Sequence, residues 1–117
     1  MYVCEYIKNH CSTLSKEEGY LEVNYGLGVL KDKVEENKSD ASTSSMLSLL
    51  LDYSLILSNL KWGDGKIYAE LLPRIEKNLG ILSSNIEGAK GYCELIWYWL
   101  ETYCKTSYAG CTKLEMQ

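Results

Sequence analysis

Residues 46–67 read MLSLLLDYSLILSNLKWGDGKI, and this stretch decides the fold class. Between Met46 and Leu60 the large apolar side chains fall on nearly every side of a helix when successive residues are placed about 100° apart. A helix of this kind is expected to be buried. The run contains Asp52 and several polar side chains, and it falls short of the roughly 20 apolar residues that a bilayer span needs. It therefore predicts a core helix, and no membrane span is expected in this chain.

Length and charge limit the possible functions. The chain has 117 residues, which is enough for one hydrophobic core and predicts a single domain over 1–117. Its formal net charge is −4 and its basic residues are scattered singly, so the basic patch of a nucleic-acid-binding protein is missing. The sole histidine, His10, has no acid or base partner in the sequence, and no glycine-rich phosphate loop is present. We expect neither enzymatic activity, nor a cofactor, nor a nucleic-acid partner.

The cysteines have neither metal-site nor disulfide spacing. They stand at positions 4, 11, 93, 104 and 111, without a C-x-x-C pair and in odd number. The first two and the next two are spaced to share a helical face, which favours small core side chains. The opening MYVCEYIKNH lacks the basic and then apolar pattern of a signal peptide, so a reducing intracellular compartment is expected.

Apolar spacing predicts helices along most of the chain. They cover residues 2–14, about 65–79 with a kink or break at Pro73, and 89 to about 105, followed by a break at 108–111 and a short tail helix. Residues 21–36 fit both a strand and a helix, and a helix is favoured because a lone strand would have no partner. The polar stretch EENKSDASTSS at 35–45 predicts a mobile connection. Together these segments predict an all-α bundle with two central hydrophobic helices surrounded by amphipathic helices.

Four short motifs occur in an order that is typical of one family. They are Tyr-Ile then Leu-Ser and Gly-Tyr within residues 2–20, LGVLKDKV at 27–34, Trp-Gly at 62–63, and YAGC at 108–111. In this order they resemble the opening helix and the third, first and second homology regions of the Bcl-2 family of apoptosis regulators. The family pattern has Asn before Trp-Gly and Arg after it, where this chain has Lys61 and Asp64. A chain this short and divergent resembles the viral Bcl-2-like members more than the cellular ones.

The resemblance implies a Bcl-2-like helical bundle with a groove that receives the amphipathic helix of a pro-apoptotic relative. At the matching positions, one wall would be lined by Leu30 and Val34. The floor and the opposite wall would be formed by Leu51 and Leu55, and the base by Ile67 and Leu71. The remaining matches are Trp62 and Gly63 at the corner between two helices, and Lys66 as the cation. Lys66 would take the place of the family's Arg and pair with the aspartate of the ligand helix. Taken singly, each apolar position favours ordinary core packing, because helical spacing does not distinguish a groove from the interior.

The implied function is that of an anti-apoptotic protein that sequesters pro-apoptotic Bcl-2 family members in the host cytoplasm, including the mitochondrial surface. A first alternative is a Bcl-2-fold inhibitor of innate-immune signalling adaptors. The aromatic residues Tyr92, Trp97, Tyr98 and Trp99 would then supply an outer binding face, or else a homodimer interface. A second alternative is an acidic helical inhibitor or immunity protein that mimics nucleic acid or covers a basic toxin, which the net charge of −4 permits.

Overall fold

The computed structural model describes the backbone of residues 1–59 and 66–116, and the side chains of residues 1–58 and 66–104. The described residues form five α-helices and no strand, which confirms the prediction of an all-α bundle. The helices are α1 (Glu5–Ser12), α2 (Lys16–Asn37), α3 (Asp40–Asn59), α4 (Lys66–Asn85) and α5 (Lys90–Met116).

Helix α2 covers the ambiguous stretch at 21–36, so the choice of helix over strand is confirmed. A capping box fixes its first turn. The backbone N–H of Glu18 donates to Ser15 Oγ at 3.2 Å, and the backbone N–H of Ser15 donates to Glu18 Oε1 at 3.1 Å. The hydrogen bonds from Ser15 lower the pKa of the Glu18 carboxyl because they favour its ionised form.

Replacing Ser15 by alanine is expected to lower the free energy of unfolding by about 1 kcal/mol, because an N-cap acceptor is lost. The lowered pKa of Glu18 means that its contribution is present above the carboxyl's ordinary pKa and disappears as the pH falls through the folded-state value. Urea unfolding of the parent and of Ser15→Ala at neutral and acidic pH measures both effects. An equal difference at the two pH values would contradict the role given to Glu18.

The predicted mobile connection at 35–45 is wrong, because this stretch is almost entirely helical. Helix α2 continues to Asn37 and α3 begins at Asp40, which leaves only two connecting residues. Lys38 adopts the left-handed conformation, with φ of 58°, and its N–H donates to the carbonyl of Val34. Ser39 Oγ then accepts the N–H of Ser42 at 3.4 Å, as a helix N-cap does. These local capping bonds therefore form a tight turn between α2 and α3 within the polar stretch.

Two predicted helix breaks are also absent. Helix α4 runs unbroken through Pro73. Proline has no N–H to donate to the carbonyl one turn earlier, and because Pro73 is exposed, water can hydrogen-bond to that carbonyl instead. The backbone of α5 likewise continues to Met116 across 108–111, where a break was predicted. A single glycine such as Gly110 costs a helix only about 1 kcal/mol relative to alanine, which need not end it. Helix α1 is shorter than the predicted 2–14.

Helix α5 is the central element of the bundle. It packs against α1, α2 and α4, and Cys93, Ile96, Leu100 and Cys104 on it are fully buried. Helix α3 packs instead against α4 and α2 at one side of the bundle. It was predicted to be buried all round, and this is wrong for the side chains that face away from its two neighbours. Within the described chain, no helix combines the length and the apolar content needed to cross a membrane.

Candidate protein-interaction surface

The outer side of α3 carries a row of exposed leucines. Leu47, Leu51 and Leu55 are 64 %, 60 % and 38 % exposed. They follow one another at four-residue intervals, so their side chains lie along one face of the helix. We call these three residues the leucine face. Large apolar side chains that are exposed in a contiguous row mark interaction sites more often than isolated ones do.

Polar contacts to both neighbouring helices fix the rotation of α3 about its axis. On the α4 side, Asn78 Nδ2 donates to Ser48 Oγ at 3.0 Å, and Arg74 donates twice to Asp52. On the α2 side, the hydroxyl of Tyr53 donates to Asn24 Oδ1 at 3.0 Å. These bonds hold the opposite side of α3 against the bundle, and the leucine face consequently points outward.

Asp52 and Arg74 form the strongest of these contacts. Asp52 is fully buried, and the Nε and Nη2 atoms of Arg74 lie 2.8 and 2.6 Å from its two carboxylate oxygens. The hydrogen bond to Asp52, and then the charge of Asp52, raise the pKa of the Arg74 guanidinium. About half of the Arg74 side chain is exposed, so the pair spans from the interior to the surface beside α3.

Between residues 41 and 58, α3 exposes no charged side chain, and the exposed Asp40 lies at the start of the helix. Asp52 is the only charged residue in 41–58, and it is buried. Serines surround the leucine face, and Ser44, Ser54 and Ser58 are exposed. The hydroxyl of Ser54 already donates to the carbonyl of Leu50 at 3.0 Å. A partner that covers this face therefore displaces water mainly from leucine side chains and buries no charge of α3.

The structure separates the residues that the resemblance assigned to a groove. Leu51 and Leu55 are exposed on α3, whereas Leu30, Val34 and Leu71 are buried in the core. Lys66 is exposed, Ile67 is half-buried, and Trp62 and Gly63 lie outside the described residues. The sequence missed Leu47 as a member of the exposed row, although its spacing of four from Leu51 was visible.

Lys66 lies near one end of the leucine face. The pairs Asp52–Arg74 and Ser48–Asn78 show that α3 and α4 run antiparallel, because the partner's number rises as the α3 number falls. The start of α4 therefore lies beside the end of α3, about one helical turn beyond Leu55. Lys66 and Ile67 thus share this end of the α3–α4 pair with Leu55.

The tryptophans of α5 do not form the outer face that their sequence predicted. Trp97 and Trp99 are buried, while Tyr92 and Tyr98 are partly buried. Trp99 packs on Tyr20 of α2, with ring centres 4.5 Å apart, and stacks on Tyr103 at 5.1 Å with the two rings nearly parallel. The prediction fails because α1, α2 and α4 all pack on α5 and cover it from several sides.

A pocket of about 270 Å³ adjoins this aromatic cluster, with Lys16, Trp99 and Tyr103 among its lining residues. The Lys16 ammonium lies 4.8 Å from the centre of the Tyr103 ring, a cation–π contact that partly covers the ring. The pocket is therefore smaller than a typical ligand site, and the Lys16 side chain covers part of its aromatic lining.

The cysteines of the described residues are free thiols. Cys11, Cys93 and Cys104 are buried and Cys4 is partly buried, as expected for small core side chains. Burial raises the pKa of Cys93 and Cys104 to about 12, so both thiols stay protonated and unreactive. Cys111 lies outside the described side chains. Among the described side chains, no group of three or more metal-ligand residues comes together.

Comparison with protein-family models, with curated proteins and with solved structures finds no match to this chain.

Proposed function

We propose that this protein is a Bcl-2-like binding protein that sequesters the amphipathic helix of a pro-apoptotic partner on the leucine face of α3. The observation that carries the proposal is the row of Leu47, Leu51 and Leu55, exposed in a stretch of α3, residues 41–58, whose only charged residue is buried. The order of sequence motifs supports the family assignment, and the all-α bundle is compatible with it. The proposed place of action is the host cytoplasm, including the mitochondrial surface.

The dimensions of the leucine face suit a helical ligand. From Leu47 to Leu55 the row extends about 12 Å along α3, which corresponds to a little over two turns of a partner helix. An amphipathic helix places its apolar anchors at intervals of three or four residues, so two or three of them can contact the three leucines at once. Burial of these side chains provides the binding free energy.

Lys66 provides a place for the acidic residue of the ligand. It is exposed in the first turn of α4, where the helix dipole is unfavourable for a cation and favourable for an anion. A carboxylate bound here interacts with the lysine and with the amide groups of the helix terminus together.

Calorimetry with a panel of synthetic peptides that carry the death-motif helices of pro-apoptotic relatives tests this function. We expect at least one peptide to bind with a dissociation constant of about 10 μM or lower, a range typical of small groove complexes. The absence of heat with every peptide, while circular dichroism shows the protein to be folded, would contradict the proposal.

Two variants locate the peptide site. Leu51→Lys is expected to weaken peptide binding by about 30-fold or more, because it places a charge in the centre of an apolar contact. Leu21→Lys is the matched control, since Leu21 on α2 is 69 % exposed, close to the 60 % of Leu51. Peptide affinities of the two variants, measured by calorimetry, should differ. Equal affinities would exclude the leucine face as the site.

Reversing the charge of Lys66 tests the acidic contact separately. Lys66→Glu is expected to weaken peptide binding about tenfold and to leave the thermal midpoint almost unchanged, because the residue is exposed. Lys77→Glu is the control, since Lys77 is an exposed lysine farther along α4. If both substitutions weaken binding equally, the effect is one of net charge and Lys66 has no specific role.

A further inference from the structure

We propose that the leucine face also binds a second copy of this chain, forming a two-fold symmetric dimer whose axis passes Leu51. This inference is independent of the proposed function, because it rests on the pattern of residues along α3. It differs from the homodimer interface considered from the sequence, since Trp97 and Trp99, the tryptophans of that face, are buried.

The outer side of α3 reads the same in both directions from Leu51. Leucines lie four residues before and after it, at 47 and 55. Ser54, three residues after it, is exposed, whereas its counterpart Ser48 is half-buried and accepts a hydrogen bond from Asn78 of α4. Ser44 and Ser58 then lie seven residues away on either side. In a two-fold interface between antiparallel helices, a residue before the axis meets the residue at the same interval after it on the partner. Leucine therefore meets leucine, serine meets serine, and Leu51 meets itself.

Two serine hydroxyls near this axis already form hydrogen bonds within one protomer. Ser48 Oγ accepts a hydrogen bond from Asn78, and the Ser54 hydroxyl donates to the carbonyl of Leu50. Covering these serines with a second protomer therefore leaves no newly unpaired donor at Ser54 and keeps the bond at Ser48. Their small size also lets the two helices approach closely between the leucines.

The lack of exposed charge in residues 41–58 of α3 is favourable for self-association. The chain carries a net charge of −4, so two copies repel each other wherever their carboxylates meet. Along 41–58 the only carboxylate, Asp52, is buried and paired with Arg74. Two copies can therefore bring their α3 helices together without placing carboxylates of these helices against each other.

Helix packing rules describe how the two rows can interlock. Leu47, Leu51 and Leu55 form a row with a spacing of four, and two such rows fit into each other's grooves at a crossing angle of about 50° and a separation of about 8–10 Å. The contact is then centred on Leu51. The apolar area is small for an obligate dimer, so the association is expected in the micromolar range.

Sedimentation velocity over a concentration series measures the self-association. The parent chain should shift from monomer to dimer as its concentration rises, and Leu51→Lys should weaken this association by about a hundredfold or more, because two lysines meet at the axis. Leu21→Lys adds the same charge on α2 and should dimerise like the parent. A parent that stays monomeric throughout, or a Leu51→Lys variant that dimerises normally, would overturn the proposal.

Cysteine cross-linking tests the symmetry itself. Under mild oxidation Leu51→Cys should form a covalent dimer joined at position 51, because the axis brings this residue to its own copy. Leu47→Cys alone should not, since the two copies of residue 47 lie roughly 15 Å apart in this arrangement. An equimolar mixture of Leu47→Cys and Leu55→Cys should form the mixed dimer. Peptide mapping identifies the bridge, and a 47–47 bridge would show parallel pairing and contradict an antiparallel dimer with its axis at Leu51.

Discussion

Gly19→Ala is expected to lower the free energy of unfolding by about 2 kcal/mol, although helix propensity alone predicts a gain of up to about 1 kcal/mol. Gly19 lies in the first turn of α2 and is buried against α5. A Cβ atom added there would overlap the indole nitrogen of Trp99. Trp99 cannot easily retreat, because it is packed against Tyr20 and Tyr103. Urea unfolding of the parent and the variant measures the loss.

Gly28→Ala is the matched control for this prediction. Gly28 lies in the same helix, and a Cβ atom added to it would meet nothing within 4 Å. This substitution should therefore raise the free energy of unfolding by about 0.5–1 kcal/mol, because alanine has the higher helix propensity and causes no clash at this position. When Gly19→Ala is introduced into a Trp99→Phe variant, the loss in free energy of unfolding should be smaller than in the parent, because the overlapping indole nitrogen is gone. Equal effects of the two glycine substitutions would contradict the close approach of α2 to Trp99.

Arg74→Ala is expected to lower the thermal midpoint by about 10 °C or more. The substitution removes both hydrogen bonds to Asp52 and leaves a fully buried carboxylate without its counter-charge, which is among the most costly changes in a protein. Thermal unfolding followed by circular dichroism measures the shift. Lys77→Ala, an exposed lysine on the same helix, is the control and should leave the midpoint almost unchanged.

The double variant Asp52→Leu with Arg74→Leu distinguishes two causes of the lost stability, the unpaired buried carboxylate and the poorer packing of α3 on α4. A buried ion pair replaced by apolar residues of suitable size often costs little. The double variant should therefore be more stable than Arg74→Ala alone. If the double variant is the less stable of the two, the loss comes from packing and the account of the Asp52 carboxylate is wrong.

The helices themselves follow from the sequence because apolar residues at intervals of three and four are a local signal. Residues 21–36 illustrate this, since the helix was favoured over the strand and α2 covers them. The corner at Lys38 and Ser39 was missed because the left-handed residue there is a lysine, and its capping depends on backbone bonds that composition does not reveal.

Burial was predicted less well than helix position, because it depends on which helices are neighbours. Leu47 and Leu51 are as apolar as Leu49, yet only Leu49 faces the core, because α3 has neighbours on one side only. The reverse holds for Trp97 and Trp99, which α1, α2 and α4 help to cover. The candidate surface could therefore be recognised only in part from sequence. Leu51 and Leu55 were identified, whereas their neighbours in the expected groove, Leu30, Val34 and Leu71, are core residues.

Methyl NMR of leucine-labelled protein, titrated with the tightest-binding death-motif peptide, tests the central claim most directly. Binding on the leucine face predicts shifts of the methyl signals of Leu47, Leu51 and Leu55, with Leu21, Leu30 and Leu71 unchanged. Shifts centred on Leu30 and Leu71 instead, with the leucine face unchanged, would show that the ligand enters the core and would contradict the account.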